Sequence, residues 1–365
     1  MRPAFVDHVE QPILPPLQKR LPNDALRATT YLYYRLGLIE ILPCYQPFCV
    51  APFKISQVNA EEDRLNEARS TERMIDVAVC TFRRASIEET LQSIASQQLP
   101  GDCRIRVIVA DNDTAPTARA TVEAAAARLS LNCLYVHAPA QNISIARNAC
   151  LDHATAPFVA FIDDDEVATP LWLGALLAKL DETGADVILG PAIAQYWVDV
   201  PAWVRSADLH STRPVIRQGG AIVTGYTCNV LMRLAAFEGR RFDPALGRTG
   251  GEDDVFFSSA VRDGVRIAYA PEAVVYDPVP QERANLRWLA RRSFRNGQTY
   301  ARTMIEGGGN RVLLFGATLA KVAACLGITI IMLPAAARWR RALIRGTLHA
   351  GACARYLGWR EITLY

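Results

Sequence analysis

The stretch Phe-Val-Ala-Phe-Ile-Asp-Asp-Asp-Glu, residues 158–166, decides the fold class that the sequence predicts, because five apolar residues run directly into four carboxylates. A short apolar run of this kind is typical of a buried strand. Four adjacent carboxylates repel one another, and a bound divalent cation relieves that repulsion. Alternate side chains of an extended segment point the same way, so Asp163 and Asp165 are a candidate pair of ligands for Mg²⁺ or Mn²⁺. A solvated acidic turn or a helix N-cap is the alternative.

Strands and helices alternate on both sides of this stretch, which predicts an α/β fold with a doubly wound, mostly parallel sheet. Short apolar runs at residues 75–80, 105–110 and 133–136 predict three further strands. Helices are predicted at residues 86–96, 117–129, 145–153 and 170–180. The first of these begins with Ser-Ile-Glu-Glu, the pattern of a capping box.

Polar residues follow the predicted strands at their carboxyl ends, where open parallel sheets bind ligands. Thr81 and Arg84 lie in the sequence Thr-Phe-Arg-Arg after the first strand, and Asp111 follows the second. Asp111 either forms an Asx turn or accepts hydrogen bonds from a nucleotide base edge or a ribose hydroxyl. Arg147, within Asn-Ile-Ser-Ile-Ala-Arg-Asn at residues 142–148, is either a charged partner for a nucleotide or for the acidic run, or a surface helix arginine.

A second acidic motif, Gly-Gly-Glu-Asp-Asp at residues 250–254, precedes a helix predicted at residues 255–261. The glycines permit close backbone approach, and Glu252 and Asp253 are candidate catalytic carboxylates. Carboxylates are also common at helix starts, because they cap the helix and interact favourably with its dipole. The same dipole would lower the pKa of a carboxylate, which disfavours a general base at this position.

The composition excludes several classes of protein. Of the 365 residues, 50% are hydrophobic and 21% are charged, so the chain is not disordered as a whole. The nine cysteines are scattered without a Cys-x-x-Cys pair. That pattern argues against a zinc ribbon, a thioredoxin-type redox site and a secreted disulfide scaffold.

The segments on either side of residues 74–280 differ from it in composition. Residues 1–73 are interpreted as an N-terminal extension, or as an overcalled gene start, because Met74 immediately precedes the first strand. Residues 281–365 carry 13 Arg and one Lys against three Glu, a net charge of +11. We interpret them as a basic, helical region that associates with an anionic membrane surface or a lipid diphosphate rather than with nucleic acid. Within it, residues 312–334 carry Lys321 as their one charge and are long enough either to span a bilayer or to lie along it.

Five motifs occur in a fixed order, at residues 81–84, 111, 142–148, 161–166 and 250–254, and together they resemble those of family 2 glycosyltransferases with the GT-A fold. The similarity covers about residues 74–280. The sequence Tyr-Asp-Pro-Val-Pro at 276–280 and the basic stretch at 283–297 are similar to bacterial exopolysaccharide glucosyltransferases of the succinoglycan type. The resemblance implies an inverting, metal-dependent enzyme at the cytoplasmic side of the inner membrane. It would move one sugar from a UDP- or GDP-sugar to a hydroxyl of a lipid-linked saccharide.

The resemblance also implies roles for individual residues. Four of them match positions that hold the nucleoside and its diphosphate: Thr81, Arg84, Asp111 and Arg147. Asp163 and Asp165 match the DxD pair, in which Asp165 would be the principal metal ligand and Asp163 or Asp164 would lie near the ribose. Asp253 matches the general base, and Glu252 would orient the acceptor or the base.

The chain departs from the family pattern at two places. Many relatives have a histidine that can reach the metal after the last strand of the domain, where this chain has Val-Tyr-Asp at 275–277, and Asp277 is a weak substitute. Processive relatives carry Gln-x-x-Arg-Trp, but Ala284 occupies the glutamine position before Arg287 and Trp288, which favours addition of a single sugar.

Two other functions are possible. A nucleotidyltransferase is disfavoured, since residues 81–84 contain no glycine. A non-catalytic sugar-nucleotide-binding membrane protein would have no need of intact acidic motifs.

Overall fold

The computed structural model describes residues 73–362. The strands in this range are β1 (Arg73–Thr81), β2 (Cys103–Asp111), β3 (Cys133–His137), β4 (Phe158–Asp163), β5 (Val167–Ala168), β6 (Val187–Leu189), β7 (Ala192–Tyr196), β8 (Asn229–Arg233), β9 (Ile267–Tyr269) and β10 (Val275–Val279). The helices are α1 (Ile87–Ala95), α2 (Arg119–Leu129), α3 (Ile143–His153), α4 (Trp172–Thr183), α5 (Ala202–Ala207), α6 (Glu252–Arg262), α7 (Leu286–Glu306), α8 (Arg311–Ile331) and α9 (Ala336–Tyr356). The extension predicted at residues 1–73 lies outside the described residues except for Arg73.

The main sheet has the strand order β3-β2-β1-β4-β8-β6-β9. Strand β1 is central: it pairs in parallel with β2 on one side and with β4 on the other. Its alternating side chains are buried on both faces. Ile75, Val77 and Val79 pack with α1 and α4, and Ala78 packs with α3 and α6 on the opposite face. The predicted α/β fold with a mostly parallel, doubly wound sheet is therefore confirmed, and β8 is its antiparallel strand.

A second sheet with the order β5-β10-β7 was not predicted from the sequence. Strand β5 has two residues, too few for a recognisable pattern. Strand β10 contains Pro278, which normally argues against a strand assignment. This sheet carries Asp277 beside the main sheet, because β5 directly follows the acidic run after β4.

The predicted helices are present, and their bounds differ from the predictions by a few residues. The capping box predicted at the first helix is wrong. Ser86 has helical dihedral angles, φ −63° and ψ −16°, and its side chain makes no capping hydrogen bond. A serine that caps a helix adopts an extended conformation, from which its hydroxyl can reach the free backbone N–H groups.

The C-terminal region consists of the long helices α7, α8 and α9, and α9 packs against both of the others. Two glycines permit the closest approach of α7 and α9. A Cβ atom on Gly297 would lie 1.8 Å from the carbonyl oxygen of Leu348, and one on Gly351 would lie 1.9 Å from that of Phe294. Both of these carbonyl oxygens are backbone atoms and cannot move aside as a side chain could. The two helices therefore adopt this spacing only because Gly297 and Gly351 have no side chain.

We predict that Gly351→Ala destabilises the protein, because α7 and α9 must separate to accommodate the new methyl group. The cost of such overpacking is about 1–3 kcal/mol, which exceeds the roughly 1 kcal/mol that alanine contributes to helix propensity. Gly327→Ala in α8 is the matched control, since a Cβ atom there meets nothing within 4 Å. Thermal unfolding in detergent should give a lower Tm for Gly351→Ala and an unchanged or higher Tm for Gly327→Ala. Equal Tm values for the two variants would contradict this packing.

Candidate active site

The acidic run forms a tight turn at the carboxyl end of β4. Because β1 and β4 are parallel and in register, with Cys80 opposite Asp163, the residues after both strands meet at one edge of the sheet. The backbone N–H of Glu166 donates to the carbonyl oxygen of Asp163 at 3.2 Å. The backbone N–H of Asp163 in turn donates to Oε2 of Glu166 at 3.1 Å. Glu166 therefore stabilises the turn from within and is almost fully buried.

Residues at the carboxyl end of β1 contact the acidic turn directly. The hydroxyl of Thr81 donates a hydrogen bond of 2.7 Å to Oδ2 of Asp164. Arg84 lies with Nη1 3.4 Å from Oδ2 of Asp165, and both side chains are partly exposed. The structure thus brings together four residues that the sequence predicted to act on a nucleotide sugar and a metal.

The acids of this turn are held in unfavourable surroundings for negative charge. Burial raises the pKa of Asp163 to about 7 and that of Asp164 to about 6. Burial also raises the pKa of Asp277 to about 6, and the charge on Asp165 adds to this increase. Asp277 on β10 and Asp165 therefore lie close enough to interact electrostatically.

The Gly-Gly-Glu-Asp-Asp motif forms the start of α6, and Arg147 from α3 binds both of its first two carboxylates. Nη1 of Arg147 lies 2.5 Å from Oε1 of Glu252 and 2.7 Å from Oδ1 of Asp253. The backbone N–H and the hydroxyl of Thr227 both donate to Oδ2 of Asp253, each at 3.2 Å. The side chains of Arg147 and Glu252 are less than a tenth exposed, whereas that of Asp253 keeps 23% of its surface.

The expectation that the helix dipole lowers the pKa of Asp253 is wrong. Burial raises this pKa, and the neighbouring charge of Glu252 raises it further, while Arg147 lowers it in part. Desolvation outweighs the dipole here because the first turn of α6 lies inside the protein rather than at its surface. This direction of the pKa shift is compatible with a general base, and the role of Asp253 stays a prediction.

The two acidic motifs lie close enough to interact electrostatically. The charge of Asp253 contributes to the raised pKa of Asp163, and Arg147 acts on Asp163 in the opposite direction. Arg147 is itself buried, and its guanidinium lies over the ring of Phe242 at 5.6 Å. Of the alternatives that the sequence left for Arg147, the surface arginine is therefore wrong, and its closest partners are the acids of α6.

Asp111 is fully buried, and both of its carboxylate oxygens accept hydrogen bonds within the protein. The donors are the backbone N–H of Asp113 at 3.0 Å, that of Ala118 at 2.9 Å and the hydroxyl of Tyr135 at 2.6 Å. These contacts are those of a turn residue. A contact of Asp111 with a nucleotide stays a prediction, and it requires this network to open.

Within residues 73–362 no group of three or more His, Cys, Asp and Glu side chains is arranged to hold a metal ion. The donors present nevertheless fit Mg²⁺ or Mn²⁺, which bind through one or two carboxylates and take their other ligands from water and substrate phosphates. Asp163, Asp165 and Asp277 supply hard oxygen donors, and two of them have a raised pKa that a cation would lower. A cavity of about 190 Å³ beside them is lined by Arg84, Asp165, Pro278 and Pro280, among others.

Sequence reasoning missed the residues that hold the motifs in place. Asn142 caps α3 by accepting from the backbone N–H of Ile145 and also donates to the carbonyl oxygen of Pro244 at 2.7 Å. Thr227, which binds Asp253, precedes β8 and carries no pattern of its own. An asparagine directly before an apolar helical pattern is the signal that could have identified Asn142 as a cap.

Comparison with known proteins identifies the family. Residues 76–240 match the model of the family described as glycosyl transferase family 2. The succinoglycan biosynthesis protein ExoM of Rhizobium meliloti (strain 1021) is 47% identical over 295 residues, which cover 80% of this chain and 95% of that protein. The chain belongs to glycosyltransferase family 2. The resemblance drawn from the five sequence motifs is thereby confirmed, and the nucleotidyltransferase alternative is excluded.

Two more distant similarities concern part of the sequence and the fold, respectively. Validoxylamine A glucosyltransferase of Streptomyces hygroscopicus subsp. limoneus is 28% identical over 145 residues, 39% of this chain and 32% of its own length. The structure of the mannosyltransferase PcManGT from Pyrobaculum calidifontis, in complex with GDP-Man and Mn²⁺, superimposes with a TM-score of 0.56. Its sequence is 18% identical, and the match covers 92% of this chain and 96% of the mannosyltransferase. The fold of the present chain is therefore the predicted GT-A fold.

We predict that Arg147→Met destabilises the protein more at pH 8 than at pH 5. Removing one partner of a buried ion pair costs about 3–5 kcal/mol, because Glu252 and Asp253 then lie close together without a cation. Carboxylates whose pKa is raised by folding take up protons in the folded state at a higher pH than in the unfolded state, so lowering the pH restores stability. In the wild type the pKa of Asp163 is about 7, and loss of Arg147, which lowers that pKa, moves this proton uptake to a higher pH.

Urea denaturation at the two pH values measures this effect. Arg241→Met is the matched control, because Arg241 forms an exposed pair with Asp152 that is worth at most about 1 kcal/mol. If Arg147→Met lowers the free energy of unfolding by the same amount at both pH values, Arg147 does not compensate the negative charge of the buried carboxylates.

Proposed function

We propose that this glycosyltransferase inverts the anomeric carbon and transfers one sugar from a nucleoside-diphospho-sugar to a hydroxyl of a lipid-linked saccharide, in the synthesis of an exopolysaccharide. The observation that carries the proposal is the common site of the two acidic motifs, in which Arg147 holds Asp253 near Asp163. The similarity to a succinoglycan biosynthesis protein over nearly its whole length supports the polysaccharide context.

The donor would bind at the carboxyl ends of β1 and β4. Arg84 is partly exposed and supplies positive charge for the diphosphate, while Thr81 fixes the orientation of Asp164. Asp163 and Asp165 would hold a divalent cation, with Asp277 opposite Asp165. Such a cation would act as a Lewis acid that stabilises the departing diphosphate.

Asp253 would act as the general base for the acceptor hydroxyl. A base is most effective when its pKa lies near the working pH, and burial raises the pKa of Asp253 in this direction. Arg147 and Thr227 fix the carboxylate in one orientation while part of its surface stays open to the site. A single displacement at the anomeric carbon inverts its configuration, so no covalent intermediate on the protein is needed.

Transfer of one sugar fits the packing of the residues that resemble the processive motif. Position 284, where processive enzymes have a glutamine, is occupied by a buried alanine. The ring of Trp288 stacks on His210 with centroids 5.4 Å apart, and Arg283 and Arg292 lie over the same ring. This tryptophan is therefore committed to contacts within the protein rather than to a growing chain.

The C-terminal helices would bind the membrane in its plane. In the described part of the chain, α8 is the helix long and apolar enough to cross a bilayer, and little of it is buried. However, α9 runs beside it and carries Arg345 and Arg355, and α9 also packs against α7 next to the catalytic residues. If α8 spanned the bilayer, these arginines would be drawn into the hydrocarbon at a cost of about 2.5–3.5 kcal/mol each on insertion scales.

Binding along the surface avoids that cost. The apolar residues of α8 are exposed, with Val312 at 78% and Ile330 at 67%, while arginines flank the helix at both ends. Such a helix lies with its apolar face in the headgroup boundary and its cations near anionic lipids. Nucleoside-diphospho-sugars are charged and are made in the cytoplasm, so we propose the cytoplasmic face of the inner membrane.

We predict that the purified enzyme releases UDP or GDP from one member of a panel of nucleotide sugars when Mn²⁺ or Mg²⁺ and a lipid-linked acceptor are present, and that EDTA stops the reaction. Asp165→Ala and Asp253→Asn should each lower kcat by about 10³-fold or more, because one removes the donor's cation and the other the base. Asp152→Asn, at the exposed end of α3 where this carboxylate pairs with Arg241, is the control and should retain wild-type rates. Full activity of folded Asp253→Asn would show that this residue is not the base.

We predict that the protein floats with vesicles that contain anionic phosphatidylglycerol, and that salt weakens this binding. Ile330→Glu should reduce binding by about tenfold or more, since an isoleucine contributes about 1.5–3 kcal/mol on burial. Leu171→Glu is the matched control, because Leu171 is similarly exposed but lies at the start of α4. Tags at both ends of a vesicle-bound chain should both be digested from outside; protection of one tag would indicate a span instead.

A further inference from the structure

The helix α7 covers the two glycines that precede the catalytic acids of α6. Gly250 and Gly251 have φ of 85° and 88°, which side chains of L-residues rarely allow. A Cβ atom on Gly251 would lie 2.2 Å from Cγ2 of Thr299 and 2.7 Å from Nη2 of Arg302. The same Nη2 donates a hydrogen bond of 3.0 Å to the carbonyl oxygen of Gly250. The backbone just before Glu252 is therefore held from outside by α7.

The other side of the Arg302 guanidinium binds the C-terminal segment. Nη1 of Arg302 lies 2.9 Å from Oε2 of Glu361, and each side chain is 8% exposed. Gln298, one turn earlier in α7, donates to the carbonyl oxygen of Arg360 at 3.0 Å and accepts from the backbone N–H of Ile362 at 3.0 Å. Residues 360–362 are thus fixed along α7 by two backbone contacts and one buried ion pair.

A buried ion pair of this kind adds little net stability, because desolvation of the two charges offsets their attraction. What it supplies is a defined geometry: the guanidinium can satisfy Glu361 and the Gly250 carbonyl at once when all three groups are in place. Gly250 and Gly251 are followed at once by the first turn of α6, which carries Glu252 and Asp253. A shift of this loop would move Asp253 relative to Arg147 and Thr227.

We propose that Arg302 and Glu361 are positioning residues that set the orientation of Asp253 through the Gly250–Gly251 loop, so that the C-terminal segment is required for transfer. The proposal rests on the proposed function of Asp253 as the general base. Arg302 and Glu361 would act through the loop, with no contact to the substrate. A displacement of about 1 Å at a reacting group can lower a rate by roughly 100-fold.

Steady-state kinetics and hydrogen–deuterium exchange test this together. For the UDP- or GDP-sugar that the wild type turns over fastest, Arg302→Gln should lower kcat by roughly 30- to 100-fold and change KM for the donor by less than about threefold. Arg302→Lys should restore part of kcat, because a lysine can satisfy one of the two partners as a point charge. Glu361→Gln should lower kcat to a smaller extent. In the absence of substrate, amides at residues 247–256 should exchange faster in Arg302→Gln than in the wild type.

Ser293→Ala is the matched control, because Ser293 also joins α7 to α9, through a buried hydrogen bond of 2.8 Å to the carbonyl oxygen of Ile344. Ser293 is not among the α7 residues nearest to Gly250 and Gly251. Its kcat should stay within about twofold of the wild type, and exchange at residues 247–256 should be unchanged. An equal loss of kcat in Ser293→Ala and Arg302→Gln, or unchanged exchange in Arg302→Gln, would overturn the positioning role. If the wild type turns over no nucleotide sugar, the proposed function fails, and the exchange measurement still decides whether Arg302 holds the loop.

Discussion

The site depends on the ion pairs that the buried guanidinium of Arg147 forms with Glu252 and Asp253. Three carboxylates from two distant parts of the chain, Asp163, Glu252 and Asp253, approach one another, and the fold can bring them together because a cation lies among them. Arg147 binds Glu252 and Asp253 directly and lowers the pKa of Asp163. Its own position is set by α3, whose start Asn142 fixes to the loop before α6. One helix therefore carries the charge that joins the two acidic motifs.

Arg147 does not neutralise all of this charge. Asp163, Asp164 and Asp277 keep raised pKa values between about 6 and 7, because burial removes water that would otherwise stabilise their charged forms. An acidic site that is underneutralised in this way binds further positive charge favourably. A divalent cation bound together with the diphosphate of a donor would supply it, with Asp163 and Asp165 as the proposed protein ligands. Such a cation would take its other ligands from the donor phosphates and water.

The sequence predicted those parts of the fold that depend on local pattern. Buried strands such as β1 and β4 are continuous apolar runs, and the polar residues that follow them mark the edge of the sheet. The second sheet was missed because β5 is too short and Pro278 interrupts β10. The pairing of Arg147 with Glu252 spans 105 residues, and no local rule identifies such a partner. For Asp253 the local rule, a helix dipole, gave the wrong direction of the pKa shift, since burial is a property of the assembled fold.

The sequence predicted a boundary at residue 280 because the composition changes there. In the structure, the described residues on both sides of it belong to one compact unit, and the basic helices that follow the boundary reach back into the catalytic part. Trp288 stacks on His210, and Arg302 binds the carbonyl oxygen of Gly250. On the other side, α9 connects α7 to the exposed apolar helix α8. The basic C-terminal helices proposed to bind the membrane are therefore in direct contact, through Arg302, with the loop that precedes the proposed base. The proposed attachment to a membrane and the proposed positioning of Asp253 would therefore depend on the same three helices.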